Sequence, residues 1–513
     1  MLIPVKDMKY DATSEKILQI LQNKTQSTIT EFFRVSIAFH LTRMASMMRT
    51  KVHTRDRGEI PVNGYMINLA MSGAGKGIST NLIEEKLTSG FRDKFTDVTF
   101  PDVAKINLAK IALHRYNLNT DPDATQENEL ARVNADFDDL GELPFDYDSA
   151  TVPAFKQVRH KALMAEIGSL NLMVDECGSN LLANTDILTA YLECYDRGFI
   201  KQKVTKNTSD NKRLKEIKGA VPSNMLLFGT PSKLLDGAKT EDEFMSMLET
   251  GYARRCIFGF SNNRISPSTA TPEEIYNIAS SITDTKEIDA LRSMFSKLAD
   301  ASNFNQTITV DKAVSLLVIE YRTRCEKEAY ELPEHQHLQQ TELMHRFFKV
   351  LKLAGAYAFI ESSASLKESH LYAAIKLVED SGESFTRILA RDKSFVKLAR
   401  FIGSSSEDLT KSDLAEELPC YRGSEPAKRE MISLAIAYGY KNNIIIKEKS
   451  IDGIDFYSGE MLEETDLDKM IVSYSGDIVR NYKNKIVTFS DLSKLTNAPN
   501  LHFTNHHLLP KDK

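Results

Sequence analysis

The chain lacks several features that would narrow its function at once. It has five cysteines in 513 residues, Cys177, Cys194, Cys256, Cys325 and Cys420, none paired at metal-ligand spacing. The odd count and wide spacing exclude a disulfide framework and a zinc module and fit a reducing compartment. No run approaches the ~18 apolar residues of a membrane-spanning helix, and the opening MLIPVKDMKYDATSEK carries no apolar signal region. The cytoplasm, or a host's cytoplasm, is the expected location. Positive charge is not in excess either, the net value being -6. A basic surface over the whole protein is excluded, so any nucleic-acid contact must be a local patch. Composition, at 42% hydrophobic and 27% charged, is that of a globular protein, long enough for roughly two to four domains.

A different shortage marks NLAMSGAGKGIST, residues 68–80. GYMINLAM reads as a short apolar strand feeding a glycine-rich turn, and STNLIEEKLTSGF continues as a helix. Such a turn presents backbone N–H groups to phosphate oxygens. Gly73 and Gly75 permit the turn, Lys76 would reach the outer phosphates, and Ser72, Ala74, Gly77 and Ile78 complete the cradle. Two positions depart from the usual eight-residue pattern. Ala70 stands where glycine is usual, and Gly77 stands where a Ser or Thr hydroxyl holds magnesium. Ser79 is the expected substitute ligand, with Thr80 or a water as alternatives.

About a hundred residues on, SLNLMVDE (169–176) reads as a buried strand ending in two acids. Asp175 would hold the water shell of Mg2+ and Glu176 would activate an attacking water; the plainer reading is two solvated acids capping a helix. SNMLLFGTP (223–231) is another buried strand, and Thr230 at its end either orients that water or caps a helix. YARRCIFGF (252–260) puts Arg254 and Arg255 before a further apolar strand. There they could reach a neighbouring subunit's γ-phosphate or form a surface pair. Strands alternating with helices predict a parallel, helix-covered sheet with ligands beyond its carboxyl ends.

The acidic stretch 119–153, punctuated by proline and glycine, reads as a surface insertion. RGFIKQKVTKNTSDNKRLKEIKGAVPSN (197–224) reads as a hairpin turning at NTSDN. Lys201, Lys203, Lys206, Lys212, Arg213, Lys215 and Lys218 line it against only Asp210 and Glu216. A basic finger on a phosphate backbone would be salt-sensitive; the alternative is a solvated hairpin. Residues 1–60 read as helical, with ITEFFRVSIAFHLTRMASMM the clearest amphipathic stretch, and 265–402 as helical throughout. After a serine-rich break at 403–413, two helices and a hairpin with a glycine turn outline a winged helix, followed by a weaker similar pattern. The expected divisions are 1–60, 61–264, 265–402 and 403–513.

In order, SGAGKG, VDECG, the basic hairpin, LLFGTP and TGYARRCIFGF resemble the ATPase domain of phage and prophage replication proteins, the primase-helicase-associated family. The layout is also similar to AAA+ helicases of the minichromosome maintenance and superfamily 3 groups. The resemblance covers about residues 30–400. It implies an α/β P-loop NTPase core, AAA+-like, with a parallel sheet covered by helices on both faces, a helical lid and a C-terminal winged helix. It further implies ATP and Mg2+ as cofactors and a homo-oligomeric ring, a hexamer, whose hairpins grip single-stranded DNA in a central pore. HRFFKVLKLAGAYAFIESSASLKESHLYAAIKLVEDS resembles the lid of the former group, which implies a nucleotide contact for Arg346. No primase motif is visible, so priming would fall to a separate protein. The expected activity is an ATP-driven DNA helicase or translocase for phage-type replication. A replication initiator or helicase loader that binds DNA without unwinding stays open, since EPAKREMISLAIAYGY could enter a major groove. So do a non-catalytic ATPase fold and a nucleoside-monophosphate kinase, whose loop also reads G-x-G-K-G but continues with Thr where this chain has Ile78.

Overall fold

The computed structural model describes residues 2–121, 123–178, 185–200, 219–237, 239–262 and 270–461, with two further short strands at Asn481–Tyr482 and Lys485–Ile486. The chain divides into two compact units, Met1–Leu234 with Glu243–Leu389, and Leu235–Asp242 with Ala390–Lys513.

Four apolar runs build the centre of the first unit: β1 (Tyr65–Ala70), β2 (Leu170–Val174), β3 (Ser223–Gly229) and β4 (Cys256–Ser261). β1, β3 and β4 are buried at every position and β2 at all but one. Unbroken apolar strands are stable only where both faces are covered, as in parallel sheets. All pairings here are parallel, with Tyr65 opposite Met225 and Cys256, and Leu170 opposite Ser223. The order is β2-β3-β1-β4. Tyr147 adds one parallel bridge beside Leu172, donating to the Asn171 carbonyl (3.0 Å) and accepting from Met173 (2.8 Å). The end of the acidic insertion therefore lies along the sheet. Its middle, Gln126–Asp138, is a helix capped by Thr125, and Val133 packs with Leu108, Ala112 and Met164.

The helix Thr30–Met47 has fifteen of its 18 residues buried. It packs on β1, β3 and β4 and on the helix His337–Ile360, so it is covered all round rather than amphipathic. Its buried arginine must be paired. Arg43 donates to Glu84 (3.3 Å), to Asp146 and to His40 Nδ1 (2.9 Å). Burial, and then Arg43, push the His40 pKa well down, which keeps the ring neutral and able to accept. The N-terminal helices, the sheet and the helices through Glu368–Leu389 share one hydrophobic core, so residues 1–60 are part of the sheet's own unit. A small sheet joins Lys51–Thr54 to Gly58–Pro61 and, in parallel, to Thr307–Thr309.

In the second unit the helix Ser394–Ser404 comes first, then β5 (Leu409–Thr410), the helices Lys411–Glu417 and Glu425–Lys441, β6 (Ile444–Ile451) and β7 (Ile454–Met461). The three strands are antiparallel in the order β5-β7-β6. Asp452 and Gly453 turn the hairpin with φ of 52° and 81°. Leu398, Ala399 and Ile402 pack with Leu414, Ile432, Ile444 and Tyr457. The helix before the serine-rich break thus belongs to this unit, and the break is a turn inside it. No described helix is long and apolar enough to cross a membrane.

One buried ion pair ties helix to sheet in the first unit. Glu342, 1% exposed, accepts from Lys349 (2.6 Å) and Arg346 (2.9 Å), and Lys349 also donates to the Cys256 carbonyl at the start of β4 (3.0 Å). Burial pushes the Glu342 carboxyl up, but Lys349 and Arg346 outweigh it and hold the pKa below its ordinary value. Such a group contributes stability that is complete above its unfolded pKa and is lost as pH falls through the folded one. Glu342→Gln is expected to cost roughly 3–5 kcal/mol in urea unfolding at neutral pH, because two buried cations lose their counter-charge. The gap from the parent chain should narrow as pH drops below the carboxylate range.

Candidate functional site

Because the four strands run the same way, their carboxyl ends lie at one edge. β3 sits between β1 and β2, so Thr230 lies between the glycine loop and the two acids. Lys76 Nζ donates to the Asp175 carbonyl and lies 5.3 Å above the Phe228 ring. Thr230 Oγ1 donates to Glu176 Oε2 (3.1 Å). Glu176 Oε1 is buried with no partner among the described residues. Asp175 is exposed and Glu176 half-buried. Cys177 donates its N–H to the Phe228 carbonyl (2.9 Å), extending the ladder and folding its side chain under the acids. Burial, chiefly, pushes that thiol up to about 12, so it is not a nucleophile. A Cβ on Gly229 would lie 2.3 Å from Leu234; glycine there lets the short helix Pro231–Leu234 fold back under the edge.

The loop has the shape its glycines allow. Gly73 and Gly75 take φ of 88° and 82°, a region that disfavours side chains. Gly75 also lies against the end of the helix Ala12–Thr25, where an added Cβ would be 3.2 Å from Thr25 Cβ. Nothing in the sequence signalled this neighbour. Ser72, Gly73, Gly77 and Ile78 are exposed, while Ala74 is buried under the turn. The expectation for Ser79 is corrected. Its side chain is wholly buried and its hydroxyl donates to the Lys76 carbonyl (2.9 Å), so it is not presented to a metal at the loop. Thr80 Oγ1 is also buried, without a partner among the described residues.

The arginines lie elsewhere. Cys256 pairs with Tyr65 at the start of β1, so Arg254 and Arg255 stand at the amino edge, a strand length of ~20 Å from the loop. Arg255 donates to Asp196 (3.2 Å) and to the Gly251 carbonyl (3.2 Å). Arg254 is half-buried, and its Nε has no partner among the described residues. Arg346, expected to contact the nucleotide of an adjoining subunit, likewise lies away from this chain's own loop. It is 8% exposed and held by Glu342 and by Glu379 (2.9 Å) at this same amino edge. Its guanidinium fills the space beside Gly382, where a Cβ would lie 1.9 Å from Nη2. The sequence pattern found a helix with an arginine but could not show that two glutamates consume its charge.

Lys201, Lys203, Lys206, Lys212, Arg213, Lys215 and Lys218 lie outside the described residues. The two ends of their segment do not. Val221 donates to the Gly198 carbonyl (2.9 Å), Arg159 to the Gly219 carbonyl (2.7 Å), and the buried Arg49 to that of Ala220. The described ends of that segment, Gly198 after the helix Thr185–Arg197 and Gly219–Val221 before β3, are thus held together near the amino edge.

The structure thus gathers the Ser72–Ile78 loop, Lys76, Asp175, Glu176 and Thr230 at one edge and keeps Arg254, Arg255 and Arg346 apart from it. No family model matches the chain, and comparison with curated proteins finds no relative. Two glycines of the loop should differ in consequence. Gly75→Ala is expected to lower stability by about 1–2 kcal/mol, since its backbone must stay left-handed. Gly77→Ala, helical and unobstructed, should leave stability equal or raise it by up to about 1 kcal/mol. Urea unfolding of both variants measures the contrast.

Proposed function

We propose that the chain is a P-loop ATPase that spends ATP on moving along single-stranded DNA. The observation that carries this is the meeting of Lys76, Asp175, Glu176 and Thr230, delivered from three different strands to one open edge beside a glycine turn. In this reading the Lys76 ammonium leaves the Asp175 carbonyl for the outer phosphate oxygens. Glu176 takes a proton from the attacking water, and Thr230 fixes which carboxylate oxygen is free to do so. The donor set suits magnesium. Among the described residues no cluster of three or more His, Cys, Asp or Glu could hold a metal alone, whereas one exposed carboxylate beside substrate phosphates fits an ion that keeps several waters. When bound, magnesium would neutralise charge developing on the transferred phosphoryl group.

A ring is favoured by where the arginines stand. They cannot serve their own loop across the sheet, but a neighbour's loop could be brought to them. Arg254 is the freer of the two and the better candidate to act in trans. The basic segment springs from that same amino edge, which supports its reading as the DNA-gripping element of a hexamer in phage-type replication. The AAA+-like reading also accounts for the helices that cover the sheet.

One observation favours a second reading, an initiator or helicase loader that binds DNA without unwinding it. The second unit has the helix–strand–helix–helix–hairpin order of a winged helix, with Arg429 exposed near the start of Glu425–Lys441.

ATP hydrolysis with and without single-stranded DNA, at low and high salt, tests the proposal. DNA should stimulate the rate, and salt should erode the stimulation. Lys76→Ala should abolish hydrolysis, and Glu176→Gln should lower it by about 10²–10⁴-fold while nucleotide still binds. Arg254→Ala should lower the rate by about 10³-fold or more and Arg255→Ala by less. Hydrolysis indifferent to DNA would favour the loader reading.

A further inference from the structure

Gly77 has no structural reason to be glycine. It is the second residue of the helix Lys76–Asn81, exposed and not in a left-handed conformation. A Cβ built on it would meet nothing within 4 Å. Gly75, two residues earlier, has both a left-handed backbone and a close neighbour. Glycine is also a poorer helix former than serine or alanine. The position is therefore an open space on the side of the loop where a Ser or Thr hydroxyl would stand.

Among the described residues no neighbouring hydroxyl fills it. The Ser79 hydroxyl is turned inward to the Lys76 carbonyl (2.9 Å), and Thr80 Oγ1 is sealed in the interior. Thr25 Oγ1 donates to the Leu21 carbonyl (2.7 Å) and Thr230 Oγ1 to Glu176 (3.1 Å). Ser72 is exposed within the turn that the Ala74 N–H closes on the Met71 carbonyl (3.2 Å), five residues before Gly77. Asp175 is the exposed carboxylate at the adjacent strand end.

We infer that a water occupies the space beside Gly77, so that magnesium at this nucleotide site is held without a side-chain hydroxyl and nucleotide binding depends only weakly on the metal. The inference rests on the nucleotide reading above. Asp175 would hold the ion's water shell beside the phosphates, and magnesium readily keeps several waters.

Calorimetric titration of a non-hydrolysable ATP analogue into the full chain, once with excess magnesium and once with EDTA, reads the metal's contribution as a ratio of Kd values. The native ratio should be about threefold or less, and Gly77→Ser should raise it by about tenfold. Gly77→Ala fills the same space without a hydroxyl and should keep the native ratio; thermal melting confirms that each variant folds. A native ratio near about a hundredfold, or a Gly77→Ser ratio that stays at the native value, overturns the inference, and Ser72→Ala then shows whether that hydroxyl is the ligand instead. A native chain that does not bind the analogue, or binding unaffected by Lys76→Ala, overturns the nucleotide reading itself.

Discussion

Parallel alignment of four buried strands is the constraint on which the rest depends. A parallel strand cannot return by a tight turn, so each is followed by a long connection that must cover the sheet. The helix Thr30–Met47 and the helices from His337 to Leu389 supply part of that cover, which is why segments 300 residues apart in sequence share one core. The same alignment sends every strand's carboxyl end to one edge. Lys76, Asp175, Glu176 and Thr230 meet there although no two of the three segments are close in sequence.

The two edges of the sheet are built on opposite principles. At the amino edge, strand starts are fastened by buried cations. Lys352 donates to the carbonyls of Pro61 and Tyr195 (3.0 Å each) and to Asn63, while Lys349 holds the Cys256 carbonyl and Arg49 that of Ala220. Burial lowers the Lys352 pKa to about 7, a sign of how far from water this edge lies. At the carboxyl edge Lys76, Asp175, Glu176 and Thr230 are exposed or half-buried, and one Glu176 oxygen has no partner among the described residues.

Much of this was legible in the residues. GYMINLAM, SLNLMVDE, SNMLLFGTP and CIFGF are mostly apolar and short, and alternate with helical patterns, which points to interior parallel strands; the acids and Thr230 fell at their ends by simple counting. The strand order was not legible, because pairing depends on contacts between segments 53 to 191 residues apart. Nor were the partners of the polar groups. Whether Ser79 faces in or out, or whether Arg346 is already neutralised by Glu342 and Glu379, is set by side chains that no local pattern names. The helix Thr30–Met47 misled for a related reason: its polar residues are buried rather than solvated, with Arg43 bonded to Glu84, Asp146 and His40.

Gly198 illustrates how a single absent side chain can govern an architecture. Any Cβ there would lie 2.7 Å from the backbone of Val221, so only glycine lets the end of the helix Thr185–Arg197 and the segment returning to β3 touch. With that contact closed, the chain between them is tethered at both ends to a fixed base, and its length hardly alters the entropy of closure. The glycine at its root therefore fixes where the two ends of the segment meet, whatever length of chain lies between them.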